Sequence, residues 1–478
     1  MAASISPARR VAWEILGEVR QRQAFARDLL REAPQMDGLS GRDRALCMRL
    51  VMGVTQSCGT LDRAIESHLS GRKHLEPRVR DALRLEAFEV MYLSTPAGIA
   101  VSQGVELVRI ANRRASGLAN AVLRRVAGED AAAVDAARRR VEQGSTAQAD
   151  LALVSGLPGW IIAEAAAALG EAGARWLAMG ALEPAPVYVA ANRLRATPEE
   201  LEGALESAGL DPRRVTDFGT FQLGRPAELA RSGLVDAAVA VPSDLAAQLV
   251  ARIAACRPGE RLLEVGQGRG TKSLLLEGAT GSMGGLGRIV GVDNVPRKRE
   301  IARARMRRAR LDRVVTCLTL DALRLADPSL PAEFAHPFDV VFVDAPCSGL
   351  GTLRRHPETS WSLDARSLDP GSRESLPALQ LQILRAASAR VRVGGALVYS
   401  TCSFARAENQ GVVEAFLRGG EGVGFSLASP MLAPGVKSLS ADDRSLVEDC
   451  VDEDGFFTSA LPGVGCDVHF CARMVRTV

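Results

Sequence analysis

Aromatic side chains are scarce in this 478-residue chain: Phe, Trp and Tyr together make up 4%. That is too few for a surface that binds single strands by stacking rows of rings. Net charge is scarce too, since 59 basic residues stand against 56 acidic ones, and the chain is no global polycation. No run of about 18 uninterrupted apolar residues occurs, so no membrane span is predicted. The opening stretch MAASISPARRVAWEILGEVR carries Trp13 and Glu14 inside its apolar part and shows no signal-peptide cleavage pattern. The nine cysteines are odd in number, widely scattered and form no C-x-x-C pair, which argues against a zinc knuckle, a thioredoxin-type site and a disulfide scaffold. A reduced, cytoplasmic protein is expected, with no metal site and no membrane partner, and a monomer is the default. No internal repeat or low-complexity tract stands out.

What is present is an ordinary globular composition, 47% hydrophobic and 24% charged, with length for two to four domains of about 100–200 residues each. Residues 1–145 read as helix. Val11, Ile15, Leu16 and Val19 share a face, as do Val79, Leu83, Leu85 and Phe88, and Pro77 and Pro96 mark helix starts or connections. The opposite face is rich in arginine: Arg109, Arg113, Arg114, Arg124, Arg125 and Arg138 to Arg140. Such a face is either a solvated surface or a phosphate-contacting one. Residues 146–240 form a mixed pattern, a small α/β module. In it Thr197-Pro198-Glu199-Glu200 has the form of a capped helix start.

From 241 to 478, short apolar strands alternate with helix-length segments: RLLEV (261–265), RIVGVD (288–293), VVTCLTLD (314–321), FDVVFVD (338–344) and ALVYST (396–401). This alternation predicts a doubly wound parallel sheet with ligands at the carboxyl ends of its strands. The first strand runs into Gly266-Gln267-Gly268-Arg269-Gly270-Thr271-Lys272-Ser273. This G-x-G-x-G spacing matches neither the dinucleotide fingerprint nor a Walker loop. Glu264, just ahead of it, favours a cationic ligand over a pyrophosphate. Asp293 at the second strand end can accept ribose hydroxyls, and Asp321 at the third can meet an adenine amino group. Either aspartate alone could simply cap the next helix. Together they point to an adenosine-containing cofactor, S-adenosylmethionine.

The fourth and fifth strands deliver Asp344-Ala345-Pro346-Cys347-Ser348-Gly349 and Thr401-Cys402-Ser403. A cysteine by itself is usually a small buried hydrophobe. Here both follow strands at one sheet edge, among Ser, Thr, Gly and Pro, where backbone N–H groups can support a thiolate. Carbon-5 of cytosine is too weak a nucleophile to take a methyl from a sulfonium unaided. A thiolate adding at carbon-6 converts the ring to an enamine, helped by an acid at N3. Two thiols and one carboxylate suit that sequence of steps.

DAPCSGLGTLRRHPE (344–358) and VGGALVYSTCSFARAENQ (393–410) resemble the two signature blocks of the RsmB/Sun family of S-adenosylmethionine-dependent RNA cytosine-5 methyltransferases, relatives of the nucleolar Nop proteins. SDLAAQLV (243–250), Asp454-Gly455-Phe456-Phe457 and GLANAVLRR (117–125) are similar to other segments of that family. The resemblance implies an all-α NusB-like RNA-binding domain (1–145), a small α/β RRM-like module (146–240) and a Rossmann-like class I methyltransferase domain (241–478). It implies that Cys402 is the nucleophile, that Cys347 helps release the product and that Asp344 contacts cytosine and cofactor. Asp293 and Asp321 would hold ribose and adenine, and Lys272 would fill the family's lysine position. Gly266, Gln267, Gly268, Arg269, Gly270 and Thr271 complete the expected cofactor loop, although the family's CAAPGGKT reads GQGRGTKS here. The implied substrate is RNA of the small ribosomal subunit.

Three alternatives are distinguishable. A DNA cytosine-5 methyltransferase has glutamine after its Pro-Cys, whereas Ser348 follows here and a second cysteine, Cys402, exists, so DNA is disfavoured. A zinc deaminase is suggested only by His356-Pro357-Glu358, and its P-C-x-x-C is absent; His356 is read as shaping the loop. The third is a noncatalytic RNA-binding factor with a degenerate cofactor loop. Residues 297–313 carry nine Arg or Lys and two acids, an expected helix that is either solvated or a phosphate-binding face. Cys466 and Cys471 receive no role.

Overall fold

Proline cannot supply an amide proton inside a helix, so it collects at helix entrances. The computed structural model describes residues 5–22, 24–69, 71, 75–93, 95–461, 463 and 465–478; the first four residues and Pro462 and Val464 of the tail lie outside the described residues. In it Pro77 is the first residue of the helix Pro77–Tyr92, and Pro96 immediately precedes the helix Ala97–Ala111. The chain divides into two compact units, Met1–Pro184 with Thr352–Asp364, and Ala185–Gly351 with Ala365–Val478.

The first unit is helical. Val79, Leu83, Leu85 and Phe88 are all buried in its core with Ile15, Leu16 and Trp13, while Val11 and Val19 pack at the margin. Gly53, in the long helix Gly41–Ser67, leaves room for the Phe88 ring, which a Cβ there would meet at 2.0 Å. The same helix receives the segment Thr352–Asp364. Trp361 Nε1 donates to Gln56 O at 2.5 Å and Ser360 Oγ donates to the same carbonyl at 3.1 Å. Arg63 lies over the Trp361 ring.

The second unit holds two sheets. In the smaller, β1 (Tyr188–Ala191), β2 (Pro212–Arg214), β3 (Thr220–Leu223) and β4 (Ala240–Pro242) lie in the order β2-β3-β1-β4, with every pairing antiparallel. The helix Pro198–Ser207 packs on it through Leu201 and Leu205. Its start is a full capping box: Thr197 Oγ1 accepts Glu200 N–H, and Glu200 Oε2 accepts Thr197 N–H at 2.8 Å.

The larger sheet contains β5 (Arg261–Val265), β6 (Arg288–Asp293), β7 (Val315–Thr319), β8 (Phe338–Asp344), β9 (Val391–Thr401), β10 (Phe425–Ala428), β11 (Phe457–Thr458) and β12 (Phe470–Arg476). Its order is β10-β12-β9-β8-β5-β6-β7, with β11 paired to β12. The five strands from β9 to β7 are parallel. β12 runs antiparallel to β9 and to β10, so the sheet is mixed, which the strand alternation alone does not announce. Both faces are covered, which is why these strands read as continuous apolar runs. Leu262, Val340, Phe342 and Val398 enter one core, while Leu263, Val265, Val341, Val343 and Tyr399 enter the other.

Candidate functional site

The chain order reverses between β5 and β8, and this switch point opens a crevice at the strands' carboxyl ends. Register places the ends in a row: Thr319 beside Asp293, Val292 beside Val265, Val265 beside Val343, and Asp344 beside Ser400. Gly266 leaves β5 with φ 84°, and a Cβ there would stand 2.3 Å from Asp344 O. Only glycine combines that left-handed turn with so close an approach. Gly268 N donates to Asp293 Oδ2 at 3.0 Å, and Gly270 leads into the helix Thr271–Gly281. Arg269 is exposed at the loop tip, and Thr271 Oγ1 accepts Arg305 Nη1 at 2.6 Å.

Asp293 is nearly buried. Its other oxygen accepts Val295 N–H at 2.9 Å, so it caps the following turn and braces the glycine loop at once. Asp321 lies two residues beyond the end of β7, exposed, and accepts Leu323 N–H at 3.0 Å. The capping role is therefore real for Asp321, which caps the short turn Ala322–Arg324, whereas Asp293 bonds Val295, the residue ahead of the helix Pro296–Ala309; each carboxylate keeps unused lone pairs. Glu264 departs from its expected place. It is fully buried, it accepts Ser273 Oγ at 2.5 Å, and burial pushes its carboxyl up to about 8. It offers no face to a cationic ligand. Gln267 is likewise turned inward: its Nε2 donates to Ser273 Oγ at 3.0 Å, and its side chain lies on Gly291. The glycine turn nonetheless fits an adenosine-bearing cofactor: Asp293 stands on the neighbouring strand, and at Gly268 a Cβ would meet nothing nearer than Gly266 O at 3.9 Å, so a ligand can approach the backbone there.

Lys272 Nζ contacts both Asp344 oxygens, at 2.8 and 2.7 Å. Burial would pull the Lys272 ammonium down, but Asp344 and the nearby Cys402 and Cys347 thiols outweigh it and hold it above its ordinary value. Cys347 Sγ and Cys402 Sγ stand 3.3 Å apart, and Cys402 N lies 3.4 Å from Cys347 Sγ. Contact with Cys402, followed by burial, pushes the Cys347 thiol well above its usual range. Both cysteines are free and partly exposed. The structure thus gathers Gly266, Lys272, Asp344, Cys347 and Cys402 at one edge.

His356 lies in the segment that belongs to the helical unit, its ring edge-on to Phe25 at 5.5 Å. Cys466 and Cys471 are fully buried core residues, Cys471 on β12 itself. Sequence reasoning missed the polar scaffold under the cysteines. Thr401 Oγ1 donates to Asn409 Oδ1 at 2.6 Å, Asn409 Nδ2 donates to Ser403 O at 2.9 Å, and Gly351 N donates to Cys402 O at 2.9 Å. The signal was present as Glu408-Asn409 six and seven residues after Cys402, but their partners are fixed only by the fold.

The basic run forms the helix Pro296–Ala309. Ala302, Met306 and Ala309 face the core, and Arg297, Lys298, Arg303, Arg307, Arg308 and Arg310 are exposed. Arg308 lies 3.8 Å from Asp236 and Lys298 3.7 Å from Asp293; Arg297, Arg303, Arg307 and Arg310 have no carboxylate partner among the described residues. In the helical unit, by contrast, Arg109, Arg125 and Arg140 pair with Glu106, Glu129 and Asp150. Among the described residues no single helix is long and apolar enough to cross a membrane.

The sheet order, its single antiparallel insertion and the glycine turn at the switch point define a class I S-adenosylmethionine-dependent methyltransferase. The chain belongs to the RsmB/F family of 16S rRNA methyltransferases: the family's model matches residues 251–462, and the NusB family model matches residues 6–128. It is 32% identical over 430 residues to a putative methyltransferase of Mycobacterium tuberculosis, covering 87% of each chain. It is 32% identical over 410 residues to the ribosomal RNA small subunit methyltransferase B of Thermus thermophilus, covering 86% of this chain and 87% of that one. Among solved structures, the crystal structure of PH0851 shares the fold with a TM-score of 0.72 at 19% identity, covering 100% of both chains.

Proposed function

We propose that this chain methylates carbon-5 of a cytosine in small-subunit ribosomal RNA through a covalent bond between Cys402 and cytosine carbon-6. The observation that carries the reading is the pair of thiols 3.3 Å apart beside the Lys272–Asp344 ion pair, at the switch point of the sheet. Ribosomal RNA as substrate is supported by the name of the Thermus thermophilus relative and by the NusB match. The division into 1–145, 146–240 and 241–478 goes with this reading, the first two parts serving RNA and the third chemistry.

S-adenosylmethionine, when bound, supplies an electrophilic methyl group. The Gly266–Thr271 turn, Lys272, Asp293 and Asp321 would hold it. The Cys402 thiolate adds to carbon-6, opening the carbon-5–carbon-6 double bond and placing electron density on carbon-5. Asp344 contacts the N3 edge of the ring, and the Lys272 charge offsets the negative charge that addition places there. Once carbon-5 carries the methyl group, its proton passes to a base supplied by solvent, the electrons of that bond re-form the carbon-5–carbon-6 double bond, and the carbon–sulfur electrons return to Cys402 as a thiolate. Cys347 stands within reach of the departing sulfur and assists that release.

The exposed basic helix favours an RNA backbone over plain solvation. Arg303 and Arg307 repel each other at i,i+4, and Arg297, with no carboxylate partner among the described residues, sits at the positive helix end, arrangements that cost a few tenths of a kcal/mol each unless a polyanion offsets them. Bisulfite sequencing of ribosomal RNA from cells with and without the gene tests the whole reading. One protected cytosine lost with the gene is the expected result; an identical pattern in both overturns it.

A further inference from the structure

Each reactive cysteine is followed by a serine, and both serines lead to one carboxylate. Glu408, in the turn after β9, has no solvent exposure. It accepts Ser348 N–H at 2.8 Å, Ser348 Oγ at 2.5 Å and Gln380 Nε2 at 2.9 Å. Ser348 Oγ lies 3.0 Å from Ser403 Oγ, which itself accepts Ala405 N–H. The Ser403 proton is thereby directed at Ser348, and the Ser348 proton at Glu408. Gln380 Nε2 also holds Pro346 O, and Tyr399 OH donates to the Glu408 carbonyl at 2.6 Å. No Lys, Arg or His pairs with the Glu408 carboxylate among the described residues.

A buried carboxylate with donors but no counter-ion is a costly way to brace a turn, because an amide could accept the same N–H without carrying charge. The charge has a neighbour on which to act. Two thiolates 3.3 Å apart repel, so the cysteine pair must keep a proton, and a fixed charge nearby decides which sulfur keeps it. Lys272 acts on both sulfurs, and Asp344 is occupied with Lys272. Tyr399, behind Cys347, is buried and neutral, its hydroxyl raised well above its ordinary value by burial. Glu408 is therefore the one carboxylate among these neighbours that is not tied to a cation.

We propose that Glu408 is a positioning residue: it clips the two cysteine turns together and keeps the shared proton on Cys347, leaving the thiolate to Cys402. This rests on the covalent reading above. Burial and contact with Cys402 act on Cys347 in the same direction as Glu408.

The test needs neither RNA nor a methyl donor, so its failure is separate from any failure of the substrate assignment. In full-length Cys402→Ala protein, the pH dependence of Cys347 alkylation by iodoacetamide is followed by peptide mass spectrometry, with Glu408 intact or replaced. Glu408→Gln removes the charge and keeps the shape. It is expected to move the midpoint down by about one pH unit, so that alkylation at pH 8 is about tenfold faster. An unchanged midpoint in folded Glu408→Gln protein overturns the proposal. If that variant does not fold, Glu408→Asp carries the test: it keeps the charge, so the midpoint must stay, and a fall of one unit overturns the proposal. A brace alone would lower the melting temperature and leave the midpoint where it was.

Discussion

Lys272 and Asp344 grip each other across the switch point, the ammonium nitrogen 2.8 and 2.7 Å from the two carboxylate oxygens. The pair ties the helix after β5 to the end of β8, and it puts a positive charge beside two sulfurs. Lys272→Met should lower single-turnover methyl transfer by about 10²–10³-fold, the usual cost of losing one donor aimed at developing charge. Lys272→Arg should recover part of it. Transfer of labelled methyl groups to RNA measures both, and wild-type turnover in Lys272→Met would remove the pair from the chemistry.

The two cysteines should fail differently. Cys402→Ala is expected to abolish methylation while cofactor binding, followed by calorimetry, stays intact. Cys347→Ala should instead accumulate a covalent RNA–protein adduct, seen as a slow-migrating band that nuclease collapses. Residual turnover in the first variant, or normal turnover without an adduct in the second, would contradict the roles assigned.

Gly266→Ala tests the crevice itself. Its Cβ would meet Asp344 O at 2.3 Å, a backbone atom that no rotamer change can move, at a residue whose φ is already 84°. Overpacking of this kind costs about 1–3 kcal/mol, and the left-handed turn adds about 1–2. Urea denaturation should show that loss, together with weakened cofactor binding.

Glu264 gives the fold a pH dependence. Its carboxyl, pushed up to about 8 by burial, keeps a proton that the unfolded chain gives up near pH 4. Between those values the folded state binds more protons, so this group's contribution is full below the unfolded value and is lost as pH rises through about 8. Glu264→Gln should flatten the fall in melting temperature between about pH 4 and 8. Parallel slopes for variant and wild type would show that Glu264 does not titrate with folding.

The basic helix predicts a salt signature. Reversing Arg303 and Arg307 to Glu should weaken RNA binding at every sequence tested and make the salt dependence shallower by about one unit of slope per arginine. Cofactor affinity should not change. Equal RNA affinity before and after reversal would leave this helix a solvated face.

How far the sequence reached depended on burial. RLLEV, RIVGVD and FDVVFVD read as strands because both their faces are buried, and they lie at 261–265, 288–293 and 338–344 as expected. The same reasoning misplaced Glu264. Alternation puts it on the side of Leu262, beneath the helix that follows, rather than out at the strand end. The apolar run 314–321 reads as strand through Asp321, but the ladder with β6 ends at Asp293 and the strand stops at Thr319. β12 was illegible because FCARMVR owes its place to a partner far back in the chain. Glu408 was illegible for a related reason: adjacency to Cys402 in sequence does not say that its carboxylate reaches Ser348.

That distant partner has a consequence for how the enzyme comes into being. β9, the strand that ends at Thr401 just before Cys402, lies between β8 and β12, and β12 begins only at Phe470. At about 5–20 residues per second, several seconds of synthesis separate the two. Throughout that interval β9 is an open edge, able to pair with a neighbouring chain on a crowded polysome. The glycine turn and both thiols are made first, yet the strand leading to Cys402 cannot be held on both sides until Phe470 to Val475 have been added.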